Sequence, residues 1–136
     1  MNRTKNIKFF LVFNDSFSRM LYHQYLVKLG YKNNILIESA EDCLKKLDLE
    51  PDVIFIDCEL HSMNGLEALK KIKSHNPDIH VLLIGCPNKK QVLIEAMKYG
   101  ATGFINKGVN DLEMLQEEVE KIASARLLKR KLEIAQ

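Results

Sequence analysis

The sequence predicts an α/β fold: a doubly wound, five-stranded parallel sheet in the order 2-1-3-4-5, with helices on both faces. Three observations lead there. Short, wholly apolar runs alternate with amphipathic stretches along the chain, and strands apolar on every side are those covered on both faces, as parallel strands are. Helix-capping patterns stand between the runs. Finally, Asp57 closes the apolar run Val53-Ile54-Phe55-Ile56, placing a carboxylate at the carboxyl end of a strand, where open parallel sheets hold their working residues.

The elements follow in order. Phe9 to Phe13 reads as the first strand, and a helix over 17–29 ends at Gly30. Ile35 to Ile37 is the second strand, followed by a helix over 40–48. Val53 to Ile56 is the third; the helix over 65–75 opens after Asn64, with Glu67 completing a reciprocal cap of its free amides. Val81 to Ile84 is the fourth, and Asn88 with Gln91 opens a helix over 89–99 that Gly100 closes. Gly103 to Ile105 is the fifth, and Asn110 with Glu113 opens the last helix, 111–134. Gly30 and Gly100 suit left-handed C-terminal caps. Right-handed crossovers then bring strands one and three together, and Asn14, Asp15 and Asp57 converge on the crevice at their ends.

Composition narrows the function classes. A chain of 136 residues, 46% hydrophobic and 28% charged, fits one globular domain with a real core. A net charge of +2 gives no argument for nucleic acid, and Tyr22, Tyr25 and Tyr31 alternate with too few basic residues for a stacking surface. No apolar stretch approaches the roughly 20 residues of a membrane span, and the run after the polar start is too short for a signal peptide. Cys43, Cys58 and Cys86 show no CxxC spacing, which predicts reduced thiols and a cytoplasmic protein. His23, His61, His75 and His80 lack metal-ligand spacing.

The last helix is longer than one sheet face needs. Its first half is acidic and its end basic, complementing a continuous helix dipole, and Glu117 with Lys121 forms an i,i+4 pair. Leu112, Leu115, Val119 and Ile122 make the stripe expected on the sheet. Leu127, Leu128, Leu132 and Ile134 have no evident core to cover. We therefore divide the chain into a domain, 1–122, and a basic C-terminal extension, 123–136. The extension is expected to meet a partner, a second copy through the last two helices, or an output domain beyond Gln136, or else to fray.

Two stretches carry a family resemblance: Pro51-Asp52-Val53-Ile54-Phe55-Ile56-Asp57 with Met63-Asn64-Gly65-Leu66-Glu67, and Tyr99-Gly100-Ala101-Thr102-Gly103-Phe104-Ile105-Asn106-Lys107. With the element order, they resemble the receiver domain of bacterial response regulators, the CheY-like family, over roughly residues 7 to 122. The resemblance implies two-component signalling in which Asp57 accepts a phosphoryl group from a histidine kinase or phosphotransfer protein, without the domain being an enzyme in its own right. It makes Lys107 the catalytic cation and phosphate ligand, assigns phosphate binding also to Gly85 and Cys86, and makes Phe104 the switch aromatic. Such a reaction is mostly positioning and charge neutralisation.

The sequence also departs from that family. The resemblance implies Mg²⁺ held by an acidic pair after strand one, but Arg19 and Gly30 align Phe13 and Asn14 with that pair, leaving Asp15 one residue further on. Asn14, Asp15, Asp57 and Glu59 remain as a weakened ligand set, since a neutral amide is a poorer ligand for a hard cation; Asp15 with Ser16 equally reads as a helix cap. Gly85 stands where the family has Thr or Ser, His61 where it has a loop proline, and Gly108 where it has the proline after the lysine. Losing about 4 kcal/mol of metal stabilisation slows transfer roughly a thousandfold. A phosphorylation-independent interaction module is therefore the alternative function. A flavin protein of similar topology is excluded at Asn14-Asp15-Ser16-Phe17-Ser18, which lacks the glycine that cradles a phosphate.

Overall fold

The computed structural model describes residues 6–86, 90–108 and 110–135. In chain order the elements are β1 (Phe9–Val12), α1 (Ser16–Lys28), β2 (Asn34–Ile37), α2 (Ala40–Lys45), β3 (Val53–Asp57), α3 (Gly65–His75), β4 (His80–Ile84), α4 (Lys90–Lys98), β5 (Gly103–Ile105) and α5 (Asp111–Ala135). The strands form one parallel sheet in the order β2-β1-β3-β4-β5, as the alternation of apolar runs predicts.

Alternate side chains of the central strands β1, β3 and β4 enter two separate cores, because successive strand residues point to opposite faces. Phe10, Val12, Ile54, Ile56, Val81 and Leu83 pack with Cys43, Leu69, Ile72 and Ala96 from α2, α3 and α4. Phe9, Leu11, Val53, Phe55, Leu82 and Ile84 pack with Tyr22, Leu26, Leu115, Val119 and Ile122 from α1 and α5. Phe9 and Phe55 stack on this second side, their centroids 5.9 Å apart. Full coverage of both faces explains why the central strands read as unbroken apolar runs.

Local chemistry sets the boundaries. Asp15 caps α1 by accepting the Ser18 amide at 2.8 Å, and Asn64 caps α3 by accepting the Glu67 amide at 2.9 Å. α1 and α4 end in matching Schellman pairs: Gly30 N–H to Val27 O with Tyr31 N–H to Leu26 O, and Gly100 N–H to Met97 O with Ala101 N–H to Ala96 O.

Other expectations shift. α2 stops at Lys45 and a 3₁₀ turn, Leu47–Leu49, takes over, ending at Glu50, whose left-handed φ of 58° turns the chain into Pro51. Asn110 sits at a left-handed φ of 69°, unlike the extended backbone of an N-cap, although its carbonyl still receives the Met114 amide at 3.0 Å. The cap expected at Asn88 lies outside the described residues. Lys121 pairs with Glu118 at 3.7 Å rather than with Glu117.

α5 runs unbroken to Ala135. Its burial ends at Ala123, and Leu128, Leu132 and Ile134 are exposed. Between these parts Arg126 Nη1 meets Asp52 Oδ1 at 3.1 Å. Asp52, just before β3, also accepts the Lys8 amide through Oδ2 at 2.8 Å. Among the described residues, no helix is long and apolar enough to cross a membrane.

Candidate functional site

β3 carries Asp57 as its last residue, paired in register with Ile84 of β4. The residue is 2% exposed and is the buried charged group of the described core. A carboxylate so placed needs partners, and it has them. Oδ1 accepts the Glu59 amide at 2.9 Å. Oδ2 meets Lys107 Nζ at 2.5 Å. Lys107 follows β5, and its ammonium lies over the Phe13 ring at 5.8 Å from the centroid, a further contact for a cation. The acid and the ammonium thus face each other across the mouth of the sheet.

The lysine reaches Asp57 by lying along Gly85. A Cβ on Gly85 would stand 3.2–3.3 Å from Lys107 Cγ, Cδ and Cε, and the glycine has a left-handed φ of 67°. Both facts favour a residue without a side chain. This corrects the expectation that Gly85 serves as an anion donor: its amide is already bonded to the Ile105 carbonyl at 2.8 Å, so its contribution is the space it leaves. Gly65 is similarly bare where α3 presses on the acceptor loop, a Cβ there standing 2.9 Å from Cys58 Cα and 3.2 Å from the Asp57 carbonyl.

Of the residues read as metal ligands, Asn14 and Asp15 are held by other partners. Phe13 is fully buried, its ring 4.9 Å from that of Tyr22. Its carbonyl accepts from Arg19, which also approaches Glu38 at 3.6 Å. The Asn14 amide donates to His61 Nε2 at 2.7 Å. Asp15 spends its carboxylate on the cap of α1, and the Ser18 amide holds its pKa below the ordinary carboxylate value, with Lys107 assisting. The Glu59 backbone supports Asp57, while its side chain is exposed. No group of three or more His, Cys, Asp or Glu suited to an ion occurs among the described residues. Asp57 is the buried carboxylate there and is already paired with an ammonium, so the described residues offer few of the oxygens that Mg²⁺ takes in its nearly octahedral set.

Phe104 is half-buried on β5, against the core of α2, α3 and α4. Tyr22 lies beneath the site and donates to Asp111 Oδ2 at 3.0 Å; burial, with Asp111 and then Asp57, pushes its phenol far above the ordinary value. Sequence reasoning missed its link to the site, and its only signal was its place on the apolar stripe of α1. The expectation of reduced thiols also needs correction. Cys58 and Cys86 are joined as a disulfide, with Cα atoms 5.0 Å apart, and Cys43 is the free, buried cysteine.

Comparisons with known proteins show the family and the fold. The chain matches the response regulator receiver domain over residues 9–120. It is 29% identical over 98 residues to the chemotaxis protein CheY of Thermotoga maritima, covering 71% of this chain and 82% of that protein. It is 33% identical over 92 residues to the response regulator GacA of Pseudomonas aeruginosa, covering 67% of this chain but only 43% of GacA. Among solved structures, a CheY-like receiver domain from Methanospirillum hungatei superposes with a TM-score of 0.82 at 21% identity, covering 91% of this chain and 98% of that one. The receiver domain of a LuxO repressor from Vibrio parahaemolyticus gives 0.82 at 21% identity, over 94% and 98%. Receiver domains are in general non-enzymatic modules that interact with histidine kinases or phosphotransfer proteins and typically bind Mg²⁺. With its sheet order, its terminal aspartate and its facing lysine, the chain belongs to the response regulator receiver family of two-component signalling.

Proposed function

We propose that this receiver accepts a phosphoryl group on Asp57 from a phosphohistidine donor, with Lys107 as the neutralising cation and with metal assistance weak. The observation that carries this reading is the 2.5 Å contact between Asp57 Oδ2 and Lys107 Nζ at the sheet mouth. Asp57 attacks phosphorus, the phosphorus–nitrogen bond breaks, and the departing imidazole takes up a proton. Lys107 follows the charge from the carboxylate to the phosphoryl oxygens, where an ammonium stabilises the transition state. Phe104, half-buried on β5, is the residue that would relay the change toward α4 and α5. Exposed Ile94, Met97 and Tyr99 supply apolar surface there for a partner or second copy, and the solvent-facing end of α5 would serve as the route to an output domain.

The test is intact mass after incubation with a small phosphodonor such as phosphoramidate, with and without Mg²⁺. Wild type gains one phosphoryl group and Asp57→Asn gains none. No gain under conditions that label an ordinary receiver overturns the reading.

A second reading rests on Phe13 in a ligand position and Gly85 in the hydroxyl position: an interaction module that works without phosphorylation. It expects Asp57→Asn to bind the partner as wild type does, and loss of binding in that variant counts against it.

A further inference from the structure

Cys58 and Cys86 are 28 residues apart in sequence, and each directly follows a residue of the site, Asp57 and Gly85. Parallel pairing brings them together. Asp57 and Ile84 are register partners at the ends of β3 and β4, so the chain leaves both strands at the same edge. The Cys58 amide then bonds the Ile84 carbonyl at 2.9 Å, fixing the backbone beside it. The resulting Cα separation of 5.0 Å lies within the span that disulfides bridge without backbone movement.

Surroundings separate this pair from the third cysteine. Cys43 is completely buried, and burial pushes its thiol up to about 12, which makes it an inert core residue. Cys58 retains 8% exposure and Cys86 more. A cavity of about 140 Å³ lined by Cys58, Asn64, Leu66 and Val92 opens on the Cys58 side of the pair, while Cys86 is reached from its own partly exposed surface.

We propose that Cys58 and Cys86 are a redox modification site, closing reversibly to a disulfide by exchange with a low-molecular-weight disulfide of the oxidised-glutathione class. Cys86, the more exposed, attacks as its thiolate and forms a mixed disulfide, releasing one glutathione thiolate. Cys58 then attacks the Cys86 sulfur and expels the second glutathione. Two protein thiols are oxidised, one glutathione disulfide is reduced to two thiols, and two protons leave the protein sulfurs. The bond joins the residue after the acceptor aspartate to the residue after Gly85, tying together two segments that flank Lys107. It does not depend on phosphorylation.

The experiment incubates the reduced protein with oxidised glutathione, quenches the exchange in acid, alkylates what remains in denaturant so that buried thiols also react, and maps peptides without reduction. The expected result is a Cys58–Cys86 crosslink within one chain, Cys43 alkylated in full, and reversal by dithiothreitol. Crosslinked protein melts several degrees above reduced protein, because closing the loop restricts the unfolded chain. Cys43→Ser and Asp57→Asn crosslink like wild type, so loss of phosphoryl acceptance leaves this result standing. Cys58→Ser and Cys86→Ser each hold a single glutathione that nothing displaces. Full alkylation of both residues after oxidant, or a crosslink only between chains, overturns the proposal.

Discussion

Gly85 shows how one residue's absence of side chain builds the site. Its φ of 67° and the packing of Lys107 against it mean that Gly85→Ala meets a left-handed penalty and a crowded lysine together. We expect a loss of about 1–2 kcal/mol, read by urea denaturation, with slower phosphoryl labelling as Lys107 is displaced. Asp15 is the other informative residue. Its cap on Ser18 lowers its pKa, so it contributes stability above its unfolded value of 3.8, and that contribution is lost as pH falls through the lowered one. Asp15→Ala should therefore cost about 1 kcal/mol at neutral pH. Melting curves in acid should show the wild-type advantage shrinking, and a constant gap at every pH contradicts the cap.

At the scale of elements, burial follows strand position. Phe55 on β3 is fully buried, stacking on Phe9 and meeting Tyr22 edge-on. Phe55→Ala should cost about 3–5 kcal/mol through lost transfer energy and an uncollapsed cavity, measured by chemical denaturation. Much of this level was legible in the sequence. The five apolar runs mark the strands, the Gly30 and Gly100 stops mark helix ends, and Asp57 and Lys107 meet as their strand-tip positions imply. What was not legible depends on register or on competition for one group. Nothing local to Gly85 announces that its amide serves β5, nothing near Asn14 names His61 as its partner, and the closeness of Cys58 to Cys86 needs the β3–β4 pairing. Asp52 stood in the recognisable motif, yet its ties to Lys8 and Arg126 span too much sequence to be inferred.

For the molecule as a whole, the two cores are complete before the chain ends. Burial on α5 stops at Ala123 and contact with the sheet side at Arg126. A chain ending at Arg126 should keep its folding free energy within about 0.5 kcal/mol of the full length, as changes to exposed residues do. The same truncation should abolish any self-association through Leu128, Leu132 and Ile134, read by sedentation-equilibrium ultracentrifugation. A large loss of stability would mean that the distal helix covers core surface.

The Arg126–Asp52 contact has one more consequence. Asp52 stands at the foot of the strand whose far tip is the acceptor aspartate, and five extended residues bridge roughly 17 Å. The guanidinium clasp therefore anchors the start of the free stretch of the final helix to the base of the short rod that bears the acceptor.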